Sequence, residues 1–423
     1  MTTTRTALLR APGFRLLFAG QAVSVVGDRL VMVAMPFAVL TVPGAGLGDV
    51  GLVLGSSALT LGLFVLVGGV WADRLPRHLT MLGSDVVRGA AQAVAATLLL
   101  TGTASVASLV ACNLVYGAAE AFFRPALLGL VPQVVDPDQR QAANALLSLA
   151  SNSAMVLGPV VAGLLVAVTG PGTALGVDAC SFGVSAVTLA FLRPRLVVRE
   201  TAPASFLAEL AGGWREVRSR TWVWSTILFF CAYCGLVLPG VFVLGPSYAQ
   251  AHRGGAGAWG VISAGFGVGA VLGSLLALRW RPSRPGAVLA GALSLGGLQA
   301  AILVTPLPTA VVALLEAGTG VGVALAFSLW DTLLQERVPP EAQSRVSSFD
   351  FLGSLTLMPL GLVVVGPVAE RFGDVRTGVG ATVLTVSVGV AVALSRDVRG
   401  MRRTDVVPQQ ATEPAAVPSP LPA

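Results

Sequence analysis

Residues 68–78 read GGVWADRLPRH. The segment before them, from Leu47, is apolar with Asp49 as its single charge, and an apolar run resumes near Leu79. Asp73, Arg74, Arg77 and His78 therefore crowd together in a chain that is only 11% charged, and Pro76 breaks them. Proline fixes φ and removes a backbone donor, which suits a tight connection from which a new helix starts. Arg side chains cannot enter lipid cheaply, so this turn reads as a loop held at a membrane surface.

The composition agrees. The chain has 423 residues, of which 54% are hydrophobic, with 27 basic and 21 acidic residues, and its mean hydropathy is +0.80. Soluble domains are less apolar and about a quarter charged. The apolar runs are ~20 residues long and continuous, the length of membrane helices, whereas barrel strands would be ~10 residues and alternating. The expected class is an all-α membrane protein embedded in a lipid bilayer. The net charge of +6 is carried by Arg alone. These Arg residues sit in short loops between apolar runs, so topology accounts for them and nucleic acid is not an expected partner.

Apolar runs predict twelve spans, near 14–40, 47–71, 79–101, 104–124, 143–168, 172–193, 221–246, 257–279, 286–305, 308–330, 348–367 and 376–394. The longest connection divides them six and six. The expected organisation is a six-helix half over 1–193, a cytoplasmic linker over 194–220, a second six-helix half over 221–398 and a disordered cytoplasmic tail over 399–423. With the N-terminus inside, cytoplasmic segments and adjoining helix ends hold twenty-three Arg residues, and the opposite loops hold Arg253, Arg371 and Arg376. That asymmetry places both termini in the cytoplasm. The N-terminal MTTTRTALLRAPGFR has no cleavage-site pattern. Cys231 and Cys234 form a C-x-x-C with no His or second pair nearby, so they read as small core residues rather than a metal or redox site. No metal or cofactor is expected.

The two halves look related. Val131-Pro132 matches Val338-Pro339, Gly69 before Arg74 and Arg77 resembles Gly273 before Arg279 and Arg281, and Gly158-Pro159 matches Gly366-Pro367. The three offsets are nearly equal, near 204 to 208 positions. Parallel repeats of this kind are a transporter architecture, with the substrate site between the halves.

At this point the opening stretch resembles a known signature. GVWADRLPRHLTM, from Gly69, is similar to the G-x-L-A-D-R-x-G-R-K-x-x-L motif between helices 2 and 3 of the major facilitator superfamily, with Gly69, Ala72, Asp73, Arg74 and Arg77 matching. Pro76 stands where Gly is usual, and His78 where Arg or Lys is usual. FFRPALLGLVPQVV, AANALLSLASNSAMVLGPVVAGLL, DACSF, GGWREVRSRTW and QERVPPEAQSRVSS resemble the macrolide-efflux and enterobactin-exporter-like branch. LGPVVAG, with Gly158, Pro159 and Gly163, resembles the helix-5 motif of drug–proton antiporters. The resemblance implies the twelve-helix fold in two pseudo-symmetric halves, and export of a small amphiphilic molecule such as a drug, antibiotic or siderophore. It also implies alternating access and proton antiport, in a monomer in the cell membrane. A proton-coupled uptake symporter of a small metabolite is the alternative on the same fold. One departure stands out: many antiporters carry Arg in helix 4, where NLVYGAA has Asn113, with Tyr116 ahead of Gly117. The resemblance therefore leaves the coupling ion open.

Within the opening stretch, Gly69, Asp73, Arg74 and Arg77 are expected to form a gating latch, Asp73 accepting hydrogen bonds from a helix N-terminus or an Arg across the halves. Ala277 stands where the second half would need an acid. Gly158 and Pro159 are expected to let helix 5 bend and pack tightly.

A charge at a helix centre costs roughly 2.5–3.5 kcal/mol on the insertion scale, so each one calls for a reason. Asp28 and Arg29 lie mid-span in helix 1 and, as adjacent residues, point about 100° apart. Asp28 is the first proton-coupling candidate, Glu316 the second and Glu120 the third. Glu120 and Arg124 have i,i+4 spacing, and Asp85 and Arg88 have i,i+3 spacing; both are expected to pair locally. Asp178 reads as structural. No paired carboxylates, triad or metal cluster can be placed in one pocket, which argues against an enzyme.

Overall fold

The computed structural model describes residues 11–136, 139–194, 214–215 and 217–402, and their side chains except those of 66–70, 72–74, 340–342, 344–345, 347–348, 350–352 and 354–355. The chain is helical throughout this region. In order, the long helices are α1 (Pro12–Leu40), α2 (Leu47–Arg74), α3 (Arg77–Leu100), α4 (Val106–Val134), α5 (Arg140–Thr169) and α6 (Pro171–Ala190). The second set is α7 (Thr221–His252), α8 (Ala256–Arg279), α9 (Pro285–Leu303), α10 (Thr309–Arg337), α11 (Pro340–Phe372) and α12 (Asp374–Leu394). Ten helices among the described residues are long and apolar enough to cross a membrane. The ten exclude α11 and α3; α3 carries Asp85, Arg88 and Gln92, all buried against protein rather than facing lipid.

Turn chemistry explains several boundaries. Pro76 is the N-cap of α3, as its fixed φ favours. Gly170 and Gly373 end α5 and α11 with φ of 86° and 90°, in the region open to glycine, and Pro171 and Asp374 then start the next helix. These two glycines are 203 positions apart, and so are the ends of α4 and α10 at Val134 and Arg337. The repeat here is therefore in a different register from the one the Val-Pro and Gly-Pro dipeptides suggest. Pro132 lies inside α4, whereas Pro339 is the N-cap of α11. The helix runs through Pro125 and Pro132 because neighbouring helices support the freed backbone. α4, α10 and α11 all extend well beyond the apolar runs that mark them in the sequence.

Two helices of the second half are irregular. α7 widens into π-helical turns at Tyr233–Val237 and Gly240–Leu244, on either side of Pro239 and including Gly235 and Gly240. α9 is interrupted at Leu298, just after Gly296 and Gly297, and resumes at Gln299. Both breaks bring side chains to the candidate site.

Within the first half, α1 packs on α5 and α6, α2 on α4, and α3 on α4 and α6; in the second, α8 and α9 pack on α10, and α9 on α12. The halves meet chiefly along two pairs, α2 with α11 and α5 with α8, with smaller contacts of α1 on α7 and α8. The two seams are equivalent: Gly163 and Pro159 of α5 stand 203 positions before Gly366 and Leu362 of α11, and Leu47 and Gly51 of α2 stand 209 before Ala256 and Gly260 of α8. A Cβ on Gly163 would lie 2.7 Å from the carbonyl oxygen of Ala256, and one on Gly366 would strike the carbonyl of Leu47. Gly260 abuts the carbonyl of Pro159, and Gly51 that of Leu362. Small residues here let backbones touch, the usual means of helix association without a hydrophobic driving force. Both seams lie at the end of the bundle that carries the 41–46 and 253–255 turns. One buried cluster there joins Met35, Val50, Val53, Ala162, Leu244, Trp259, Leu362 and Val365. Glu370 adds a polar tie: its Oε1 accepts a hydrogen bond of 2.8 Å from Gly48 N, at the N-terminus of α2. Toward the opposite end, Leu63 and Phe64 of α2 and Leu149 of α5 are exposed.

Candidate functional site

The buried charges of the first half converge from four helices. Asp28 of α1 is half-buried, and its Oδ1 accepts a hydrogen bond of 2.9 Å from the hydroxyl of Tyr116 on α4. Arg29 turns elsewhere: its Cβ and Cγ lie over Gly158 of α5, and its Nη1 is 3.8 Å from Met32 Sδ. The adjacent pair thus diverges, as helical geometry requires. Arg88 of α3 is buried and donates to Asp85 Oδ1 at 2.5 Å. Its guanidinium lies 4.2 Å from the ring centroid of Phe123, 4.4 Å from that of Phe182 and 5.9 Å from that of Tyr116. The positive charge that helix 4 lacks, with Asn113 in place of Arg, is therefore supplied to this neighbourhood from α3. Asn113 itself donates to the carbonyl of Leu109 at 3.0 Å.

Asp178 of α6 is fully buried, which its sequence position near a helix end did not signal. Ser181 Oγ lies 3.3 Å from its Oδ1, and the carboxylate fills the space beside Gly27 of α1. Gly27 is one residue from Asp28, so a second carboxylate stands next to the first candidate. Glu120 is spent locally: it takes Arg124 at 2.9 Å, with Arg124 itself 68% exposed. That is the i,i+4 pair its spacing predicts.

In the second half a polar chain crosses three helices. The Tyr233 hydroxyl, in the first π-turn of α7, donates to Gln299 Oε1 at 2.7 Å. Gln299, the first residue after the break in α9, donates through Nε2 to Glu316 Oε2 of α10 at 3.0 Å. Thr319 Oγ1 donates to the same oxygen at 3.0 Å. Glu316 is 1% exposed, and its Oε1 has no hydrogen-bond partner. A cavity of about 60 Å³ lies between the halves against Glu316 and Gln299, walled by Met32, Phe242, Trp259 and Phe266.

Two of the helix-5 residues fall on the seam between halves, Pro159 and Gly163, which receive Gly260; Gly158 instead receives Arg29 of α1 within its own half. In the opening stretch, Arg77 Nη1 donates to the carbonyl of Gly129 on α4 at 2.5 Å, within its own half. The side chains of Gly69, Asp73 and Arg74 lie outside the described residues.

A family model described as Major Facilitator Superfamily matches residues 17–355. The chain belongs to this superfamily. It is a multi-pass membrane transporter and not an enzyme. The transporter is 27% identical over 416 residues to the multidrug efflux pump Tap of Mycobacterium tuberculosis, covering 95% of this chain and 96% of that one. It is 23% identical over 368 residues to macrolide efflux protein A of Streptococcus pyogenes, covering 85% and 90%. Among solved structures, a bacterial homologue of the iron transporter ferroportin in an inward-facing state superposes with a TM-score of 0.68 at 17% identity, covering 92% of this chain and all of that one. At that identity the likeness speaks for the fold alone.

Proposed function

We propose that this transporter exports a small amphiphilic molecule across the cell membrane by alternating access, driven by protons that move inward through Asp28. All twelve long helices cross the bilayer and both termini face the cytoplasm, in keeping with the Arg asymmetry. The names of the two efflux relatives support the direction and the broad substrate class. In this orientation the seams of α2 with α11 and α5 with α8 lie at the outer face, which fits a cytoplasm-open state of a monomer.

The observation that carries the coupling reading is the Tyr116–Asp28 hydrogen bond inside the bundle. Asp28 is an interior carboxylate that accepts its hydrogen bond from a neutral hydroxyl, so it is placed to gain and lose a proton as access changes. Glu120 is a weaker candidate because Arg124 already neutralises it. Glu316 is the other deep acid. Pro159 and Gly163 act by sealing the α5–α8 seam, Gly158 by letting α5 pack closely on Arg29 of α1, and Asp73 with Gly69, Arg74 and Arg77 latches the opposite end.

Expression in cells stripped of their own efflux pumps tests the direction. Accumulation of a macrolide and of a lipophilic dye should fall when the intact protein is present, and the fall should vanish when the proton gradient is collapsed. Unchanged or raised accumulation would contradict export.

A further inference from the structure

A groove of about 410 Å³ runs down the flank of the second half between α7, α11 and α12. α12 packs on α7, α9 and α11, all of its own half, and the groove shares no lining residue with the cavity between the halves. α11 lines it with Val364, Val368 and Phe372, and α12 with Arg376, Gly380 and Leu384. Each set recurs every four residues, so each helix presents one continuous stripe. The first π-turn of α7 adds Gly235 and Leu236 as the floor. There α7 and α11 touch, since a Cβ on Gly361 would strike the carbonyl of Gly235. A Cβ on Gly380, by contrast, would meet nothing within 4 Å. Glycines thus draw α7 and α11 together while α12 stands off, and the gap is the groove.

Its walls are apolar, and Val364, Phe372 and Leu384 are each more than half exposed. An unfilled groove forfeits dispersion contacts along its whole wall, so within a bilayer hydrocarbon fills it. From Gly361 to Phe372 the wall is about 16 Å long at the helical rise. One leaflet's hydrocarbon is about 15 Å deep, so the groove has the length of one acyl chain reaching the midplane.

The mouth, beside the turn at Gly373, is cationic. Arg376 lines it, and the Arg371 guanidinium lies 5.8 Å from the ring centroid of Phe372. Both Arg residues are exposed, and among the described residues neither has an ion-pair partner. The nearby acids are engaged elsewhere: Glu370 accepts from Gly48 N, and Asp374 sits in the first turn of α12, where the helix N-terminus favours it. Two guanidiniums above a slot of acyl-chain length match a phosphate carrying a hydrocarbon tail.

We propose that this groove binds one anionic glycerophospholipid of the phosphatidylglycerol kind, its acyl chain along α11 and α12 and its phosphate held by Arg376 and Arg371. In the orientation given above the lipid belongs to the outer leaflet. It braces α11 and α12 at the end of the bundle where α11 meets α2.

The test uses the full-length protein purified in a mild detergent and a phosphatidylglycerol with a photoreactive diazirine on its acyl chain. Adducts are mapped by mass spectrometry of peptides, with unlabelled phosphatidylglycerol or phosphatidylcholine of the same chains as competitor. Wild type should be labelled between Gly361 and Leu384, and phosphatidylglycerol should compete there at least about fivefold better than phosphatidylcholine. The exposed double variant Arg371→Gln/Arg376→Gln should lose that preference while the label stays on the same peptides. Gly380→Trp, whose side chain enters the open groove, should lose the label on this segment, whereas Gly380→Ala should keep it. No label on the segment in wild type, equal competition by the two lipids, or a preference that survives the double Gln variant would overturn the proposal. So would displacement of the label by a macrolide or lipophilic dye but not by phosphatidylglycerol, which would give the groove to the exported molecule. An inverted topology would change the leaflet and none of these readings.

Discussion

The hydroxyl of Tyr116 on α4 donates to the carboxylate of Asp28 on α1 across 2.9 Å. The two residues are eighty-eight positions apart in the chain, and their contact joins two helices at an interior charge. Tyr116→Phe keeps the ring and deletes this bond. A hydrogen bond to a charged group contributes about 1.5–3 kcal/mol, so proton-driven efflux should slow by on the order of tenfold. Substrate counterflow without a gradient should change by less than about twofold, because Tyr116 does not line the cavity between the halves. Equal loss in both assays would mean that Tyr116 serves packing rather than coupling.

Gly163 and Gly260 set the closeness of the α5–α8 seam. A Cβ on Gly163 would lie 2.8 Å from Gly260 Cα and 2.7 Å from the Ala256 carbonyl, and backbone atoms cannot step aside. Overpacking of this kind costs typically about 1–3 kcal/mol. Gly163→Val should therefore open the seam and raise the passive proton permeability of proteoliposomes, read with an entrapped pH dye. Gly183, which has open space around its Cβ position, provides a control that should not leak when replaced by Ala.

Asp85 and Arg88 are 0% and 2% exposed and bond to each other at 2.5 Å. Removing one partner strands a buried charge, at about 3–5 kcal/mol. Arg88→Gln should lower the midpoint of thermal unfolding in detergent sharply. The double variant Asp85→Asn/Arg88→Gln should recover part of the loss. Equal destabilisation by single and double variants would show that the contacts of Arg88 with Phe123 and Phe182 matter more than its charge.

Topology is open to direct labelling. In a background without Cys112, Cys180, Cys231 and Cys234, single cysteines at Leu75 and at Gln335 should react with a membrane-impermeant maleimide only after the cell is opened. A cysteine at Gly254 should react in intact cells. The reverse pattern would invert the proposed orientation.

Much of the fold was legible because lipid imposes strict terms on a sequence. Apolar run length marks the helices, and Pro76 and Gly170 mark where they stop and start. The pairs Asp85–Arg88 and Glu120–Arg124 follow from helical spacing alone. What spacing could not reveal were relationships between helices. Asp178 and Asp28 are far apart in sequence, and nothing in either neighbourhood says that α6 lies beside Gly27. Tyr116 looked like a departure from a motif, and it is instead the partner of Asp28. Gln299 and Tyr233 each look unremarkable inside an apolar run. Their meaning comes from a break in α9 and a π-turn in α7, which neither propensity nor periodicity encodes. The repeat itself is visible in the sequence, but no single offset relates the halves: the ends of α4 and α5 match those of α10 and α11 at 203 positions, and the seam residues of α2 match those of α8 at 209. Val-Pro and Gly-Pro dipeptides recur by composition, whereas the positive-φ glycines Gly170 and Gly373 mark true equivalents.

The central claim is that Asp28 couples proton entry to substrate exit. Purified protein in proteoliposomes, with a proton gradient imposed against the direction of substrate flux, measures this directly. The account predicts that wild type accelerates efflux in response to the gradient, whereas Asp28→Asn still binds substrate but gives the same slow flux with or without it. A gradient response in Asp28→Asn equal to that of wild type would contradict it.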